Sequence, residues 1–124
     1  MDLHSIGKIT LRSRDFARTE RFYHELFGWK FQQHSATYLG FEPPSGVGGG
    51  FQKRGSFSQG DSYLIYILVD GFESYLQRIP QLGGQCGGEI EIVSENAQYI
   101  RVYDPDGNRL ALWRNISASD GMSK

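Results

Sequence analysis

Residues 8–28 read KITLRSRDFARTERFYHELFG, and this stretch decides the fold. It opens with Lys8 to Ser13, where apolar and polar side chains alternate as in a strand with one buried face. Asp15 follows at a helix N-cap position, since its carboxylate can accept an orphan backbone N–H bond. Apolar residues then recur at helical spacing from Phe16 to Phe27, and Gly28 suits a left-handed C-cap. The stretch therefore predicts a strand followed by an amphipathic helix.

The same order of elements returns further along the chain. Tyr63 to Val69 is rich in β-forming residues, Asp70 repeats the capping position, and an apolar helical stripe runs from Phe72 to Leu82. The two capping residues, Asp15 and Asp70, are 55 positions apart (70 − 15), and the ends of the two stripes keep that spacing (82 − 27). Pro80 lies inside the second stripe and predicts a kink or an early end. A repeat of this length predicts a duplicated βαβββ module.

Three strands are predicted after each helix. Turn residues separate them, and the sequence from Asp104 to Asn108 predicts a hairpin between the last two strands. Gly83 to Gly88 is a glycine-rich bend that carries Cys86, and Gly46 to Gly60 predicts a mobile loop. The predicted strands are Trp29 to Gln33, Thr37 to Phe41 and Gly49 to Lys53, then Glu89 to Val93, Tyr99 to Tyr103 and Arg109 to Arg114.

Composition excludes several classes of function. The 124 residues carry a formal charge of −1, which argues against nucleic acid as a partner because phosphate binding needs a basic surface. No apolar run approaches the roughly 20 residues that span a bilayer, so we expect no membrane association. Met1 to Lys8 lacks an apolar signal core, and the lone Cys86 rules out an internal disulfide. We therefore expect a cytoplasmic protein.

Two motifs carry a resemblance to a known family. Residues 9–29 contain a strand, then Asp15, then a helix with Phe-Tyr that ends near Leu-Phe-Gly, and residues 103–112 contain Asp-Pro-Asp-Gly in a closing hairpin. With the internal repeat, they resemble the glyoxalase/bleomycin-resistance/dioxygenase superfamily, also called the vicinal oxygen chelate superfamily. The resemblance implies an α+β fold in which two βαβββ modules form a curved, half-barrel-like mixed sheet around a cavity. Such proteins commonly form homodimers.

The resemblance also suggests how the chain is organised. We expect a single domain over residues 1–114, with module one at about 6–55 and module two at about 61–114. A polar C-terminal tail follows at residues 115–124.

The positions that hold metal ligands in this family lack ligands here. Members with lyase or dioxygenase activity bind a divalent ion through His and Glu, and their spacing transfers to Lys8, Leu64 and Ala111, with a fourth position near Gly48 to Phe51. An ammonium group repels a cation, and the hydrocarbon side chains have no lone pair to donate. The three histidines, which we interpret as surface residues, do not form a ligand pair: His4, His24 and His34. We expect no metal and no other cofactor, with a divalent metal as the alternative.

Strand alternation supplies candidate cavity residues. If Lys8 occupies the position of a metal ligand in the family, every second residue of its strand faces inward with it. Every second residue of the first and last strands of module two should face inward in the same way. A mixed lining of aromatic, aliphatic and cationic groups is typical of a small-molecule site. Two arginines, Arg12 and Arg109, can clamp a carboxylate or phosphate. The full candidate set is Lys8, Thr10, Arg12, Leu64, Tyr66, Leu68, Arg109, Ala111 and Trp113.

Three functional hypotheses follow. The first is a glyoxalase/bleomycin-resistance-like protein that binds a small planar or anionic molecule in its cavity without metal, with no catalytic residue assigned. The alternative is a divalent-metal-dependent lyase, isomerase or dioxygenase with displaced ligands. The further alternative is a protein-interaction or regulatory module that pairs through an exposed sheet edge. The fold alone does not choose among them, because one scaffold serves many functions.

Overall fold

A computed structural model describes residues 3–4, 6, 8–54 and 64–116. The chain divides into two compact units, Met1–Ser58 and Gln59–Lys124. Among the described residues, each unit has a hydrogen-bonded sheet of its own and one α-helix. The predicted α+β class is confirmed.

The first unit contains one helix and a four-stranded mixed sheet. The first strand lies parallel to the fourth, and the other pairings are antiparallel. Predicted bounds are confirmed for the helix and the fourth strand, and the other strands shift by one or two residues. The elements are β1 (Ile9–Ser13), α1 (Phe16–Phe27), β2 (Lys30–Ser35), β3 (Tyr38–Glu42) and β4 (Gly49–Lys53), in the sheet order β1-β4-β3-β2.

Both predicted caps of α1 are confirmed. The Asp15 carboxylate accepts a hydrogen bond from the Arg18 backbone N–H at 3.1 Å, and Asp15 itself is extended (φ −148°). Gly28 is left-handed (φ 73°), and its N–H donates to the His24 carbonyl at 2.9 Å. The helix therefore begins and ends where its sequence dictates.

Aromatic rings form the core between α1 and its sheet. Trp29 stacks on Tyr23 from the helix at 4.7 Å and on Phe41 from β3, also at 4.7 Å, while Tyr23 contacts Phe51 of β4 at 5.2 Å. Phe22, Tyr23 and Phe51 are completely buried. Trp29 precedes β2 rather than starting it, and its ring is buried between Tyr23 of α1 and Phe41 of β3.

The second unit repeats this topology with one addition. Its first strand again lies parallel to its last, and the last strand again pairs antiparallel with the one before it. The addition is a two-residue strand, which the sequence pattern did not predict. The elements are β5 (Ile65–Leu68), α2 (Glu73–Gln81), β6 (Gln85–Cys86), β7 (Glu91–Ser94), β8 (Ala97–Tyr103) and β9 (Arg109–Asn115), in the order β5-β9-β8-β6, with β7 also paired to β8.

The predicted cap of α2 is wrong. The N-cap residue is Phe72, in the αR conformation, and no side-chain hydrogen bond caps this helix in the described part of the chain. Gly71 and Phe72 separate Asp70 from the first helical residue, Glu73, whereas Asp15 directly precedes Phe16. The 55-residue spacing therefore reflects a repeated topology and not a repeated cap.

The helix α2 contains Pro80 and continues one residue past it, to Gln81. Proline has no N–H group, so the carbonyl of Leu76 loses its usual helical donor. The thiol of Cys86 in β6 donates to that carbonyl at 3.8 Å. Gly83 then takes a left-handed conformation (φ 93°) just beyond the helix.

The predicted hairpin between β8 and β9 is confirmed. The Asp104 carboxylate accepts bonds from the backbone N–H groups of Asp106 and Asn108, at 2.9 and 2.8 Å, and from the Asn108 amide at 2.7 Å. All three side chains are buried. These bonds fix the turn and hence the register in which β8 and β9 pair.

Some predicted features lie outside the described residues. They are Tyr63 at the start of the fifth predicted strand, residues 55–60 of the predicted mobile loop and residues 117–124 of the predicted tail. Asn115 belongs to β9 rather than to the tail. The backbone N–H of Ile116 still donates to the Asn96 carbonyl at 2.7 Å.

Candidate aromatic and polar faces

The two faces of the second sheet differ in character. One face carries Val102, Leu110 and Leu112, which are fully buried, and Arg114 on this face stacks over Phe72 at the start of α2. The strand registers place the alternate residues together on the opposite face. This opposite side, here named the aromatic face, carries Tyr66, Leu68, Tyr99, Arg101, Tyr103, Arg109, Ala111 and Trp113.

Three rings on the aromatic face have a defined mutual geometry. Tyr99 and Trp113 are cross-strand partners with parallel rings, 6.2 Å apart at an interplanar angle of 2°. Tyr66 meets both edge-on, at 5.5 and 5.4 Å, which is a favourable arrangement of aromatic quadrupoles. The Trp113 indole N–H donates to the Asn115 side chain at 2.7 Å and so fixes the ring. The rings form a rigid apolar surface.

This surface is accessible on the described chain. Tyr66 is 50% exposed and Leu68 is 68% exposed, although both are large apolar side chains. Ala111, the cross-strand partner of Tyr66, is fully buried. Clustered exposed apolar side chains typically mark a binding surface, because most large apolar groups on a monomer are covered.

Two arginines stand on the same face as the rings. Arg101 pairs across the ladder with Ala111, and Arg109 pairs with Tyr103, so the two guanidinium groups belong to adjacent strands and adjacent rows. Arg101 is exposed and Arg109 is half-buried. Side chains diagonally placed in this way lie about 7–8 Å apart at their Cα atoms. The aromatic face is therefore cationic at one end.

The first sheet also has one face toward its helix and one away from it. Phe51 contacts Tyr23 of α1, and Lys53 on the same face lies over the Phe16 ring at 5.7 Å. The alternate residues point away from α1. This side, here named the polar face, carries Lys8, Thr10, Arg12, Tyr38 and Gln52.

Glycines shape the polar face. Tyr38 lies against Gly50, where a Cβ atom would come within 2.2 Å of the tyrosine ring, and the Lys8 ammonium sits 5.5 Å from the centre of that ring. His34 lies in the same way against Gly40. An open groove of about 380 Å³ runs beside them, and its lining includes Lys30, Gln32, His34, Gly40 and Glu42.

The candidate residues fall into two groups, one on each unit. Lys8, Thr10 and Arg12 share the polar face, as alternation predicts, while Leu11 between them is buried on the α1 side. Five others, Tyr66, Leu68, Arg109, Ala111 and Trp113, belong to the aromatic face, and Leu64 lies directly before β5. Their role in binding stays a prediction.

Sequence reasoning missed several members of these faces. Tyr99 and Arg101 lie on β8, which was predicted as a strand but not assigned to a face, and Tyr38 was not considered. The sequence could have predicted the place of Tyr99 and Arg101. The hairpin turn at Asp104 sets the register that places Tyr99 opposite Trp113, and alternation along β8 then places Arg101 on the same face.

Comparison with known proteins identifies the class. The chain belongs to the glyoxalase/bleomycin resistance protein/dioxygenase superfamily, whose family model matches residues 5–112. No curated protein matches the chain.

Solved structures show the same fold at low identity. A glyoxalase-related enzyme from Fulvimarina pelagi is 22% identical, with 94% of each chain covered and a TM-score of 0.71. The fosfomycin resistance protein FosX from Listeria monocytogenes, complexed with Mn(II) and sulfate, is 19% identical, with 98% of each chain covered and a TM-score of 0.77. FosX from Mesorhizobium loti is 16% identical, with 98% of this chain and 99% of that chain covered and a TM-score of 0.72.

The residues at the expected metal positions do not fit a divalent ion. Lys8 supplies an ammonium group, while Leu64, directly before β5, and Ala111 of β9 supply only hydrocarbon. Within residues 3–4, 6, 8–54 and 64–116, no cluster of three His, Cys, Asp or Glu side chains is placed to hold a metal ion. No chemical step is therefore assigned to a metal.

Two further features bear on function. Partial burial raises the pKa of the Cys86 thiol, which is the opposite of what a nucleophilic cysteine needs. Across the described residues, no helix combines the length and apolar character needed to cross a membrane.

Proposed function

We propose that this protein binds a small planar or anionic molecule without the help of a metal ion. The observation that carries the proposal is the exposed aromatic face, where Tyr66, Tyr99 and Trp113 form a fixed apolar surface. Rigid aromatic rings with a few polar groups beside them are typical of small-molecule sites. The ring of a planar ligand would pack on this surface.

Cationic side chains supply the second part of the proposal. Arg109 stands on the aromatic face, and Lys8 and Arg12 stand on the polar face of the other unit. Guanidinium groups bind carboxylates and phosphates through parallel charge-assisted hydrogen bonds. Lys8, at the position where the family pattern has a metal ligand, offers a positive charge to an anion on the polar face, as Arg109 does on the aromatic face.

A thermal-shift screen of chelator-treated protein tests the proposal. We expect at least one planar or anionic compound from a panel of metabolites and antibiotics to raise the melting temperature. A ligand at 100 times its Kd stabilises the folded state by about 2.7 kcal/mol. Tyr66→Ala should abolish the shift, and Tyr75→Ala, which removes a tyrosine from α2 in the same unit, should retain it. No shift with any compound at millimolar concentration contradicts the proposal.

The competing function is a divalent-metal enzyme with displaced ligands. The likeness to FosX, solved with Mn(II), is the observation that favours it. Metal analysis of protein purified without chelator decides between the two. We expect well under one metal ion per chain, whereas about one Ni, Zn, Fe or Mn per chain would establish the competing function.

A further inference from the structure

We propose that the aromatic face selects an aromatic carboxylate. This inference rests on the proposed function and narrows it, since it replaces "planar or anionic" by a molecule that is both. The ring would pack on Tyr66 and Trp113, and the carboxylate would meet Arg101.

The ring surface is built before a ligand arrives. Tyr66 stands perpendicular to both other rings, and the Asn115 side chain holds the Trp113 indole through a 2.7 Å hydrogen bond. Half of the Tyr66 surface remains exposed. A planar ligand therefore meets a rigid apolar surface that loses little side-chain entropy on binding.

By strand register, Arg101 shares the row of Tyr66, and Arg109 occupies the next row. Arg101 is the next residue on its face after Tyr99 along β8, a step of about 7 Å. Arg109 occupies the adjacent row on β9. Arg101 and Arg109 are diagonal neighbours on this face, and a carboxylate beside Arg101 gains charge-assisted hydrogen bonds. A carboxylate attached to the stacked ring reaches this end of the face.

The charges also orient the ligand. Glu91 of β7 is the cross-strand partner of Tyr99, so a carboxylate group stands beside the row of rings on the side away from Arg109. An anionic ligand would be repelled at Glu91 and attracted at Arg101. A neutral amide can stack on the rings but cannot form charge-assisted hydrogen bonds with an arginine, and an amine is repelled by it, which is why the face favours an aromatic acid.

A matched pair of ligands tests the inference. Chelator-treated, ¹⁵N-labelled protein is titrated with 2-naphthoate and with its neutral analogue 2-naphthamide, while the indole N–H signal of Trp113 is followed. The Trp113→Phe variant identifies that signal against the one from buried Trp29. We expect 2-naphthoate to move the Trp113 signal and to bind about tenfold more tightly than 2-naphthamide. Cyclohexanecarboxylate, which lacks the aromatic ring, should bind more weakly than 2-naphthoate.

The role of Arg101 is tested with a charge-matched control. Arg101→Gln should remove the preference for 2-naphthoate, and Arg54→Gln, an exposed arginine of the first unit, should leave it intact. Arg101 is exposed, so the variant should give an otherwise unchanged ¹⁵N spectrum, which checks that it is folded.

The outcomes separate the inference from the function on which it rests. Equal affinity for acid and amide, or a preference that survives Arg101→Gln, overturns the inference but leaves binding of planar molecules in place. Failure of every compound, including those of the thermal-shift panel, overturns both.

Discussion

Asp15 and Asp70 occupy equivalent places in the sequence repeat but different places in the structure. Asp15 precedes its helix directly and its carboxylate accepts the Arg18 N–H bond. Asp70 stands three residues before Glu73, too early to reach the orphan N–H groups of α2. At the scale of the residue, an offset of two positions therefore decides whether a carboxylate caps a helix.

Alanine substitution of these two aspartates should give unequal results. We expect Asp15→Ala to lower the free energy of unfolding by about 1 kcal/mol, the usual value of a lost N-cap. Asp70→Ala should change it by no more than about 0.5 kcal/mol, because Asp70 is an exposed residue outside any cap. Urea denaturation of both variants measures the difference. Equal losses would mean that Asp70 contributes to α2 after all.

The Cys86 thiol should ionise at a higher pH in the folded protein than in the unfolded chain. Burial disfavours the thiolate and raises the pKa of the thiol, which also donates to the Leu76 carbonyl. The rate of alkylation by iodoacetamide should therefore rise at higher pH in the folded protein than in the same protein unfolded in urea. A folded midpoint at or below the unfolded one would contradict this environment for Cys86.

At the scale of the element, glycine permits the close approach of β1 and β4. A Cβ atom at Gly49 would lie 1.8 Å from the Ile9 carbonyl oxygen, which is backbone and has no room to move. The pairing of β1 with β4 is parallel and joins the first strand of this module to its last strand. Gly49 is therefore required by packing rather than by its backbone angles.

Substitution at Gly49 should be severe. We expect Gly49→Ala to lower the free energy of unfolding by about 3 kcal/mol, at the upper end for overpacking. Gly71→Ala is the matched control and should be tolerated, since nothing lies within 4 Å of its added Cβ. Thermal unfolding of the two variants checks this. A mild effect at Gly49 would show that the two strands can separate without loss of the fold.

The strand β7 is an edge strand with exposed apolar side chains. Ile92 is 75% exposed, Val93 and the preceding Ile90 are about half exposed, and among the described strands β7 pairs with β8 alone. An apolar strand with one open edge is a template for pairing with another chain. We infer that a homodimer, which the family resemblance implies, would use this strand.

The oligomeric state of a charged variant tests that inference. Ile92→Lys places a charge on the open strand and should convert a dimer to a monomer in light scattering, while Thr10→Lys, on the polar face, should not. Wild-type protein that is monomeric at all concentrations, or a dimer that persists in Ile92→Lys, would contradict it.

How far sequence predicts this molecule depends on what holds each feature in place. Periodicity and caps belong to the local chain, so α1 and β4 were predicted to the residue. The two-residue strand β6 is held by its backbone pairing with β8, which leaves no pattern in its own side chains. Likewise Tyr99 and Arg101 join the aromatic face only through the register of the β8–β9 hairpin.

At the scale of the whole molecule, two units of the same topology have diverged in their exposed faces. The first presents Lys8, Thr10 and Arg12 on a polar face, and the second presents Tyr66 and Trp113 on an aromatic one. The fold is that of a family whose solved members include a Mn(II) complex. At the positions where the family resemblance implies metal ligands, this chain has Lys8, Leu64 and Ala111, and the proposed binding without metal depends on that difference.

Isothermal titration calorimetry of the best ligand from the thermal-shift panel tests this central claim most directly. The same chelator-treated protein is titrated in EDTA and then in buffer with excess Mn(II). We predict the same Kd in both, because protein side chains supply the whole binding surface. Binding that is absent in EDTA and restored by Mn(II) would contradict the account.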